Sequence, residues 1–398
     1  MYRLLKIVPN TFESESRDLR ELNIARELGF EVMVMAKCNE DKNGVKDRVD
    51  GFDVYRFSTR PLGNKAFIIK LNRVISLFTW AYGVRKFNPD VISCHDILAL
   101  AIGNISNMCR SKGKRALLIY DSHEFEMGRN VRRTKFKKLL IKHIEGYLIK
   151  RSFKAVMVND IIADEIKKLY KLPQRPVVVR NIPNKWVLIK DEIDKKREEY
   201  LRRFNRDKPP FIVMYHGRIA NGRGIENMIM ALNQTADTVG IIIGNGESQY
   251  IERLKGLAIK LNVAERVIFE PAIPYQELWK HLASADAGLV VIENICKSYF
   301  YSLPNKYFEN IQSLTPIINS NFPAMDQLAQ KYNIGISTDC SDPIKISQSI
   351  EKLKNDKELY SNIKQNLILA KEELCWENER RVLITMYEEI ITKLENKN

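Results

Sequence analysis

The sequence has no long hydrophobic run, few cysteines and no grouping of metal ligands. No segment approaches the roughly 20 uncharged apolar residues that a membrane-spanning helix requires. The six cysteines are scattered, without a C-x-x-C pair or neighbouring histidines, which argues against a structural zinc and against a disulfide framework. The start, MYRLLKIVPN, enters a strand-like stretch without a cleavable signal pattern. These absences predict a cytoplasmic chain with reduced thiols that needs no cofactor or metal.

The net charge of +15 lies in one half of the chain. Residues 1–184 carry the whole excess of Lys and Arg over Asp and Glu, whereas residues 185–398 are neutral overall. No zinc finger or RNA-binding motif accompanies the basic half, so nucleic acid is not an expected partner. We predict that this half meets an anionic membrane surface, which would place the protein peripherally on the inner face of a membrane.

One segment concentrates this charge. Residues 131–154 contain nine Lys or Arg and one Glu, with five apolar residues at helical spacing: Phe136, Leu139, Leu140, Ile144 and Leu148. A basic amphipathic helix can lie among lipid headgroups. Alternatively, its apolar side packs into the core and its basic side is solvated, and a structural helix whose charged side also meets lipid combines the two. The broadly apolar segment 67–84 either joins this surface or is core.

Short apolar runs alternate with helical patterns along the chain, which is typical of βαβ units and parallel sheets. A strand pattern at residues 177–184 ends in a Pro-punctuated turn, after which a second series of strands begins. The length of 398 residues fits two domains. We predict an α/β chain with two doubly wound, Rossmann-like domains, residues 1–182 and 183–376, and a C-terminal helix at about 377–398 that packs back on the first.

Two loops of the second half follow predicted strands, where doubly wound sheets bind ligands. Residues 216–226 read HGRIANGRGIE and combine three glycines with Arg218 and Arg223. Glycines let a backbone approach closely and two guanidiniums can clamp a diphosphate, although a solvated basic turn has the same composition. The second loop, IGNGES at 243–248, is either a simple tight turn or a nucleotide-contacting loop.

A third loop opens a helix within residues 301–320. Pro304 suits the first helical turn and Ser302 suits a cap, so free N–H groups at this helix start would form an anion site. Glu309 lies about one and a half turns further on, where a carboxylate can accept from two ribose hydroxyls. The alternative is an ordinary surface glutamate on an amphipathic helix.

Together, the motifs G-R-x-x-x-G-R-G-I-E, G-N-G and L-P-N-K-x-F-E resemble the retaining GT-B glycosyltransferases of family four, in particular its short-loop members. Y-D-S-H-E at 120–124 and the terminal C-W-E-N-E-R-R-V extend the resemblance over the chain. It implies two domains facing a cleft in the GT-B architecture. It also implies metal-independent transfer, with retention, from a nucleotide-diphosphate sugar, foremost a UDP-sugar. The acceptor would be a glycan or a lipid-linked acceptor in bacterial-type envelope, capsular or exopolysaccharide assembly.

The resemblance also assigns roles to residues of the second half. Arg218 and Arg223 would bind the diphosphate and act in catalysis, and Glu309 would hold the ribose. Further donor contacts would come from Gly217, Gly244, Asn245, Gly246, Ala272, Ile273, Tyr301, Leu303, Pro304, Asn305 and Lys306. Tyr301 stands near the position where many members carry the first of two glutamates.

In the first half, His123 follows a predicted strand, and the resemblance gives this catalytic candidate a contact with the transferred sugar. A lone histidine is otherwise a surface or core imidazole. Arg17, His95 and Asp96 are candidates for acceptor binding. Asp96 could equally cap a helix beginning at Ile97, and Arg17 could bind donor phosphate or be solvated.

Two other functions remain open at this point. One is a sugar-nucleotide epimerase on the same fold, which needs no acceptor. The other is an inactive sugar-nucleotide-binding partner subunit of another transferase.

Overall fold

A computed structural model describes residues 1–12, 16–38, 45–59, 69–129, 134–204 and 208–397. These residues form two compact units, the first within residues 1–127, 131–180 and 380–398 and the second mainly within Asn181–Glu379. Each unit is a largely parallel sheet whose strands are connected by helices. The predicted pair of doubly wound α/β domains is therefore confirmed. No helix in the described ranges has the length and apolarity needed to span a bilayer.

The first unit is built on one eight-stranded sheet. Its strands are β1 (Arg3–Val8), β2 (Glu31–Lys37), β3 (Val45–Val49), β4 (Phe52–Phe57), β5 (Val91–His95), β6 (Leu117–Ser122), β7 (Lys154–Met157) and β8 (Val177–Val178). They are ordered β3-β4-β2-β1-β5-β6-β7-β8, with β3 antiparallel to β4. The helices between them are α1 (Ser16–Glu27), α2 (Ile69–Phe87), α3 (Asp96–Met108), α4 (Lys135–Ile149) and α5 (Asp160–Tyr170).

The second unit is built on a six-stranded parallel sheet. Its helices are α6 (Lys190–Phe204), α7 (Ile225–Asn233), α8 (Ser248–Lys260), α9 (Leu278–Ala283), α10 (Lys297–Phe300), α11 (Asn305–Gln312), α12 (Pro323–Tyr332), α13 (Pro343–Asn355) and α14 (Lys357–Glu373). Its strands are β9 (Phe211–His216), β10 (Thr238–Ile243), β11 (Val267–Glu270), β12 (Ala287–Val290), β13 (Ile317–Ser320) and β14 (Gly335–Thr338).

The order of these strands, β11-β10-β9-β12-β13-β14, fixes where the second sheet can bind a ligand. The chain runs outward from β9 to one edge and then returns to β12 on the other side of β9. Doubly wound sheets open a crevice at such a reversal, outside the carboxyl ends of the strands. All six residues of β10 are buried, as expected for a parallel strand covered on both faces.

The last helix, α15 (Trp376–Glu395), packs mainly in the first unit. The ring of Tyr387 meets Phe30 edge-on, with centroids 5.7 Å apart, and its hydroxyl donates to Glu21 at 2.7 Å. Arg380, at the start of the same helix, pairs with Glu27 on α1. A buried aromatic residue and a hydrogen bond thus tie α15 to the first unit.

We expect Tyr387→Phe to destabilise the first unit by about 1 kcal/mol, because it removes a buried hydrogen bond and keeps the ring. Hydrogen exchange of the β1 and α1 amides measures this change separately from the second unit. Tyr147→Phe is the matched control, since the Tyr147 side chain is 54% exposed. Equal protection in both variants would contradict the assigned role of the Tyr387 hydroxyl.

Candidate functional site

Two glycine loops meet at the carboxyl edge of the second sheet. β9 and β10 are neighbouring parallel strands, and Gly217 and Gly244 follow them directly. Both glycines have positive φ, 112° and 151°, and a Cβ on Gly244 would lie 1.8 Å from the Gly217 carbonyl oxygen. A side chain at that position would collide with backbone, so this approach of the two loops requires glycine.

Beyond these glycines, the two loops continue side by side. The Ile219 N–H donates to the Asn245 carbonyl at 2.9 Å, and a Cβ on Gly246 would lie 2.3 Å from the Ile219 carbonyl oxygen. The Asn245 side chain accepts a hydrogen bond from the Ala272 N–H at 3.2 Å. The structure therefore brings together five of the predicted donor residues: Gly217, Gly244, Asn245, Gly246 and Ala272.

These loops border a cavity of about 750 Å³, within the ~300–1,000 Å³ typical of small-molecule sites. Its lining includes three more predicted residues, Arg218, Ile273 and Glu309. Among the described residues, the following predicted ones do not line it: Arg223, Tyr301, Leu303, Pro304, Asn305 and Lys306. The cavity thus unites the first two loops with one side chain from α11.

A buried histidine fixes the orientation of Glu309. His216, the last residue of β9, is 3% exposed, and its Nε2 lies 2.7 Å from Glu309 Oε2. The Glu309 side chain is only 13% exposed, so the alternative of an ordinary surface glutamate is wrong. Sequence reasoning assigned no role to His216. The sequence feature that could have indicated a role for His216 is its position at the end of a predicted strand, directly before Gly217.

Two cationic side chains lie behind the lining residues, each against a tyrosine ring. The Arg223 guanidinium carbon is 4.8 Å from the centre of the Tyr299 ring, and the Lys306 Nζ is 3.7 Å from the centre of the Tyr215 ring. Lys306 is only 8% exposed. Burial, and then the charge of Arg223, lower the pKa of its amine to about 7, although Glu309 acts in the opposite direction. Neither tyrosine was predicted from the sequence.

The segment before α11 differs from the predicted helix cap. The Ser302 hydroxyl donates to the Tyr299 carbonyl at 2.7 Å, and Pro304 occupies the N-cap position. The Ser302 prediction was wrong because the preceding turn already provides an acceptor for its hydroxyl. Tyr301 directly follows α10, and α11 begins at Asn305, whose side chain is exposed.

The predicted histidines of the first unit lie against buried carboxylates. His95 Nδ1 is 3.0 Å from Asp18 Oδ2, and His123 Nε2 is 3.2 Å from Asp121 Oδ2. The two imidazole rings are in contact, with centroids 3.8 Å apart. Burial lowers the pKa of His95, but the hydrogen bond and the charge of Asp18 outweigh burial, so that this pKa is raised. The ends of β5 and β6 therefore carry two histidines, each oriented by its own carboxylate.

Asp96 and Arg17 belong to the same cluster. Asp96 begins α3 without capping it, and its carboxylate accepts the His123 N–H at 3.3 Å, so the helix-cap alternative is wrong. Arg17 donates to Asp121 at 2.8 Å and to the Val179 carbonyl at 2.7 Å. Its side chain is 11% exposed, so the solvated alternative is wrong as well.

Lys6, which sequence reasoning missed, lies at the centre of this cluster. The residue is fully buried, and its Nζ lies 2.5 Å from Glu21, 3.0 Å from Asp18 and 3.2 Å from Asp121. The signal was a charged residue inside the apolar strand LLKIV.

Two sets of ligand-type atoms within 4.8 Å of one another lie in the described ranges: Asp18, Glu21 and Asp121, and Asp18, His95 and His123. The Lys6 ammonium forms ion pairs with all three carboxylates of the first set. In the second set, Asp18 is likewise bonded to Lys6.

Comparison with known proteins links the cavity to a family. Residues 196–368, which include every residue lining the cavity, match the family model described as glycosyl transferases group 1. No curated protein matches the sequence.

Solved structures resemble the chain over nearly its whole length. Sucrose-phosphate synthase from Thermosynechococcus elongatus is 13% identical with a TM-score of 0.76, and the match covers 100% of both chains. HepE from Anabaena in complex with UDP-glucose is 14% identical with a TM-score of 0.73, covering 98% of this chain and 100% of that one. An E. coli structure described as trehalose-6-phosphate bound with UDP-2-fluoro glucose is 9% identical with a TM-score of 0.72, covering 97% and 98%. The likeness to these structures over nearly the whole length therefore shows the GT-B fold, and residues 196–368 are similar to the glycosyl transferases group 1 family model.

Proposed function

We propose that this protein is a glycosyltransferase that moves a hexosyl-type sugar from a UDP-sugar to a glycan or a lipid-linked acceptor. The observation that carries the proposal is the cavity of the second unit, where bare glycine backbone, Arg218 and the oriented Glu309 meet. The family match of residues 196–368 supports glycosyl transfer. Structures of the same fold that hold UDP-glucose or UDP-2-fluoro glucose support a uridine nucleotide as the donor.

In this proposal the second unit binds the donor. The Gly217 and Gly244 loops let a diphosphate approach the backbone, and Arg218 and Arg223 neutralise the charge that develops as the diphosphate leaves. The first turn of α11 adds N–H groups without intrahelical partners. Glu309, held by His216, accepts hydrogen bonds from the ribose hydroxyls. Cationic side chains thereby take the role that a metal ion has in other transferases.

We further propose retention of configuration without a covalent enzyme intermediate. Retaining glycosidases place two carboxyl groups about 5–5.5 Å apart and use one as the nucleophile. Here Glu309 is already bonded to His216, and the departing phosphate would deprotonate the acceptor. In the first unit, His123 would contact the transferred sugar, and Arg17, His95 and Asp96 would shape the acceptor side. Such chemistry suits bacterial-type envelope, capsular or exopolysaccharide assembly at the cytoplasmic face of a membrane.

Membrane contact, the second part of the proposal, is supported by α4. Five of its apolar residues are between 42% and 74% exposed: Phe136, Leu139, Leu140, Ile144 and Tyr147. Its buried residues are Glu145, Leu148 and Ile149. At about 100° per residue, the exposed apolar set lies on the side opposite the buried set. Of the five apolar residues in the predicted pattern, only Leu148 packs into the core. The core-packing alternative is wrong for the other four, which are exposed.

A second outward stripe lies on α2, where four residues are between 50% and 62% exposed: Leu71, Val74, Phe78 and Tyr82. Trp80, on the other side of the helix, is 2% exposed, so this segment contributes to the core as well as to the surface. Both α2 and α4 pack on α3 and form one layer with it. Exposed Lys135 and Lys137 flank the α4 stripe, and this combination of apolar and cationic side chains suits an anionic bilayer surface.

The overall function is tested with a panel of UDP-, GDP-, ADP- and dTDP-sugars, with and without a lipid-linked acceptor. We expect acceptor-dependent release of UDP and a glycosylated product in the mass spectrum. Interconversion of the sugar nucleotide without an acceptor would instead identify an epimerase. Binding without any turnover would identify a partner subunit of another transferase.

We expect Arg218→Gln to weaken UDP binding about 10- to 100-fold, because hydrogen bonds to charged groups contribute about 1.5–3 kcal/mol. Isothermal titration calorimetry measures the change. Arg253→Gln is the control, since Arg253 is 62% exposed in the same unit and pairs with Glu226. If both variants bind UDP like the wild type, Arg218 does not bind the diphosphate.

For membrane contact we expect the double substitution Phe136→Ser and Leu140→Ser to reduce binding to vesicles of phosphatidylglycerol and phosphatidylcholine at least tenfold. Burying each of these side chains fully would contribute about 1.5–3 kcal/mol. Sedimentation at low salt measures the bound fraction. Ile368→Ser with Leu369→Ser serves as the control, because those residues of α14 are 53% and 70% exposed. If the α4 variant binds these vesicles as well as the wild type does, α4 does not contact the membrane.

A further inference from the structure

Three side-chain nitrogens near the cavity are buried without a hydrogen-bond partner in the described structure. They are His216 Nδ1, Arg223 Nε and Lys306 Nζ. An unpaired buried polar group typically costs about 1–3 kcal/mol, and more if it is charged. Arg223 Nε and Lys306 Nζ are donors, which indicates that an acceptor from outside the chain completes them, whereas His216 Nδ1 is itself an acceptor when Nε2–H donates to Glu309. An anionic acceptor suits this place best, because both donors belong to cationic side chains.

Lys306 is the most instructive of the three because a glycine separates it from the cavity. A Cβ on Gly217 would lie 3.4 Å from the Lys306 Nζ, so the amine is in van der Waals reach of that position. Gly217 is exposed and lines the cavity, whereas Lys306 is buried and does not line it. With no side chain on Gly217, a ligand oxygen seated over this residue would meet the amine directly.

We propose that the Lys306 ammonium is a direct ligand of the donor diphosphate, reached past the bare Cα of Gly217, and that donor binding brings a proton to this amine. This inference rests on the proposed function. It adds that binding of the sugar nucleotide is coupled to the uptake of a proton. The proton comes from solvent, and no covalent bond to the ligand is made or broken. The Tyr215 ring, whose centre is 3.7 Å from the Nζ, partly compensates the amine whenever it is charged.

The charged groups around Lys306 determine the direction of the proton exchange. Burial and the charge of Arg223 lower the pKa of Lys306 to about 7, and Glu309, which is bonded to His216, opposes them. The Tyr215 hydroxyl has its own pKa raised by burial and donates to the Arg218 carbonyl, so it remains neutral. A diphosphate adds negative charge beside the amine and returns its pKa toward the ordinary value. Above pH 7 the free amine is largely neutral and the bound one is charged.

The test is calorimetry with UDP-glucose, whose diphosphate diester does not titrate near neutral pH. Titrations in buffers of different ionisation enthalpy should show uptake of a substantial fraction of a proton per site at pH 8, and clearly less at pH 6. For the same reason, the affinity of the wild type should fall severalfold, up to about tenfold, between pH 8 and pH 9. Binding without proton uptake at pH 8 would overturn the inference.

Two substitutions locate the proton. Lys306→Met should abolish the uptake, flatten the pH dependence and weaken binding at pH 7 about 10- to 100-fold. Lys306→Arg should keep a charge at every pH tested and therefore bind without uptake. Lys255→Met, which removes an exposed lysine of α8, is the control and should behave as wild type. If Lys306→Met still takes up the proton, another group carries it and the inference fails.

The failure of this inference and that of the proposed function give different results. If the wild type binds no sugar nucleotide in the panel described above, the donor site itself is wrong. If it binds UDP-glucose or another panel member without proton uptake, the donor site holds and only the role of Lys306 is wrong. Should Lys306→Met not fold, as judged by circular dichroism, the wild-type proton count and pH dependence alone decide.

Discussion

The second unit depends on the contact between the Gly217 and Gly244 loops. The Gly217 N–H donates to Ile243 and the Gly244 N–H donates to Glu270, so both loops leave the sheet with their backbones fixed. The 1.8 Å that would separate a Gly244 Cβ from the Gly217 carbonyl leaves no room for a side chain. A wider spacing would displace the end of β9, and with it the imidazole that orients Glu309. The close contact of the two glycines therefore determines both the wall of the cavity and the position of Glu309.

The two units handle buried charge in different ways. In the first unit, Lys6 is surrounded by three carboxylates, which raise the pKa of its amine despite complete burial. That cluster compensates its charges internally and holds β1, α1 and the histidines together. In the second unit, Lys306 is buried against a tyrosine ring and has no hydrogen-bond partner among the described residues. A buried charge that the chain itself compensates suits a structural role, whereas a buried ionisable group without a hydrogen-bond partner suits a site that a ligand completes.

Local patterns in the sequence predicted much of the fold and part of the site. Apolar runs ending in glycine marked β9, β10 and the loops that follow them, and the resemblance placed Arg218 and Glu309 at the cavity. The bond between His216 and Glu309 joins residues 93 positions apart, and Lys6 meets a carboxylate 115 positions away. Such pairings depend on the order of the strands in the sheet. The spacing of apolar residues along one segment does not reveal that order. At Ser302 a local pattern was misleading. The residue has the side chain and position of a helix cap, but its hydroxyl donates to the nearby Tyr299 carbonyl instead.

The first unit is assembled from segments that lie far apart in the sequence, residues 1–180 and 380–398. Tyr387 reaches Glu21 across 366 residues, and its ring covers Phe30, so this core lacks a component until the final helix exists. The second unit is almost continuous in sequence and contains its own sheet. During synthesis on the ribosome, the domain made later can therefore finish folding before the domain made first. The N-terminal half has to wait, with part of its apolar interior open, until α15 has been made.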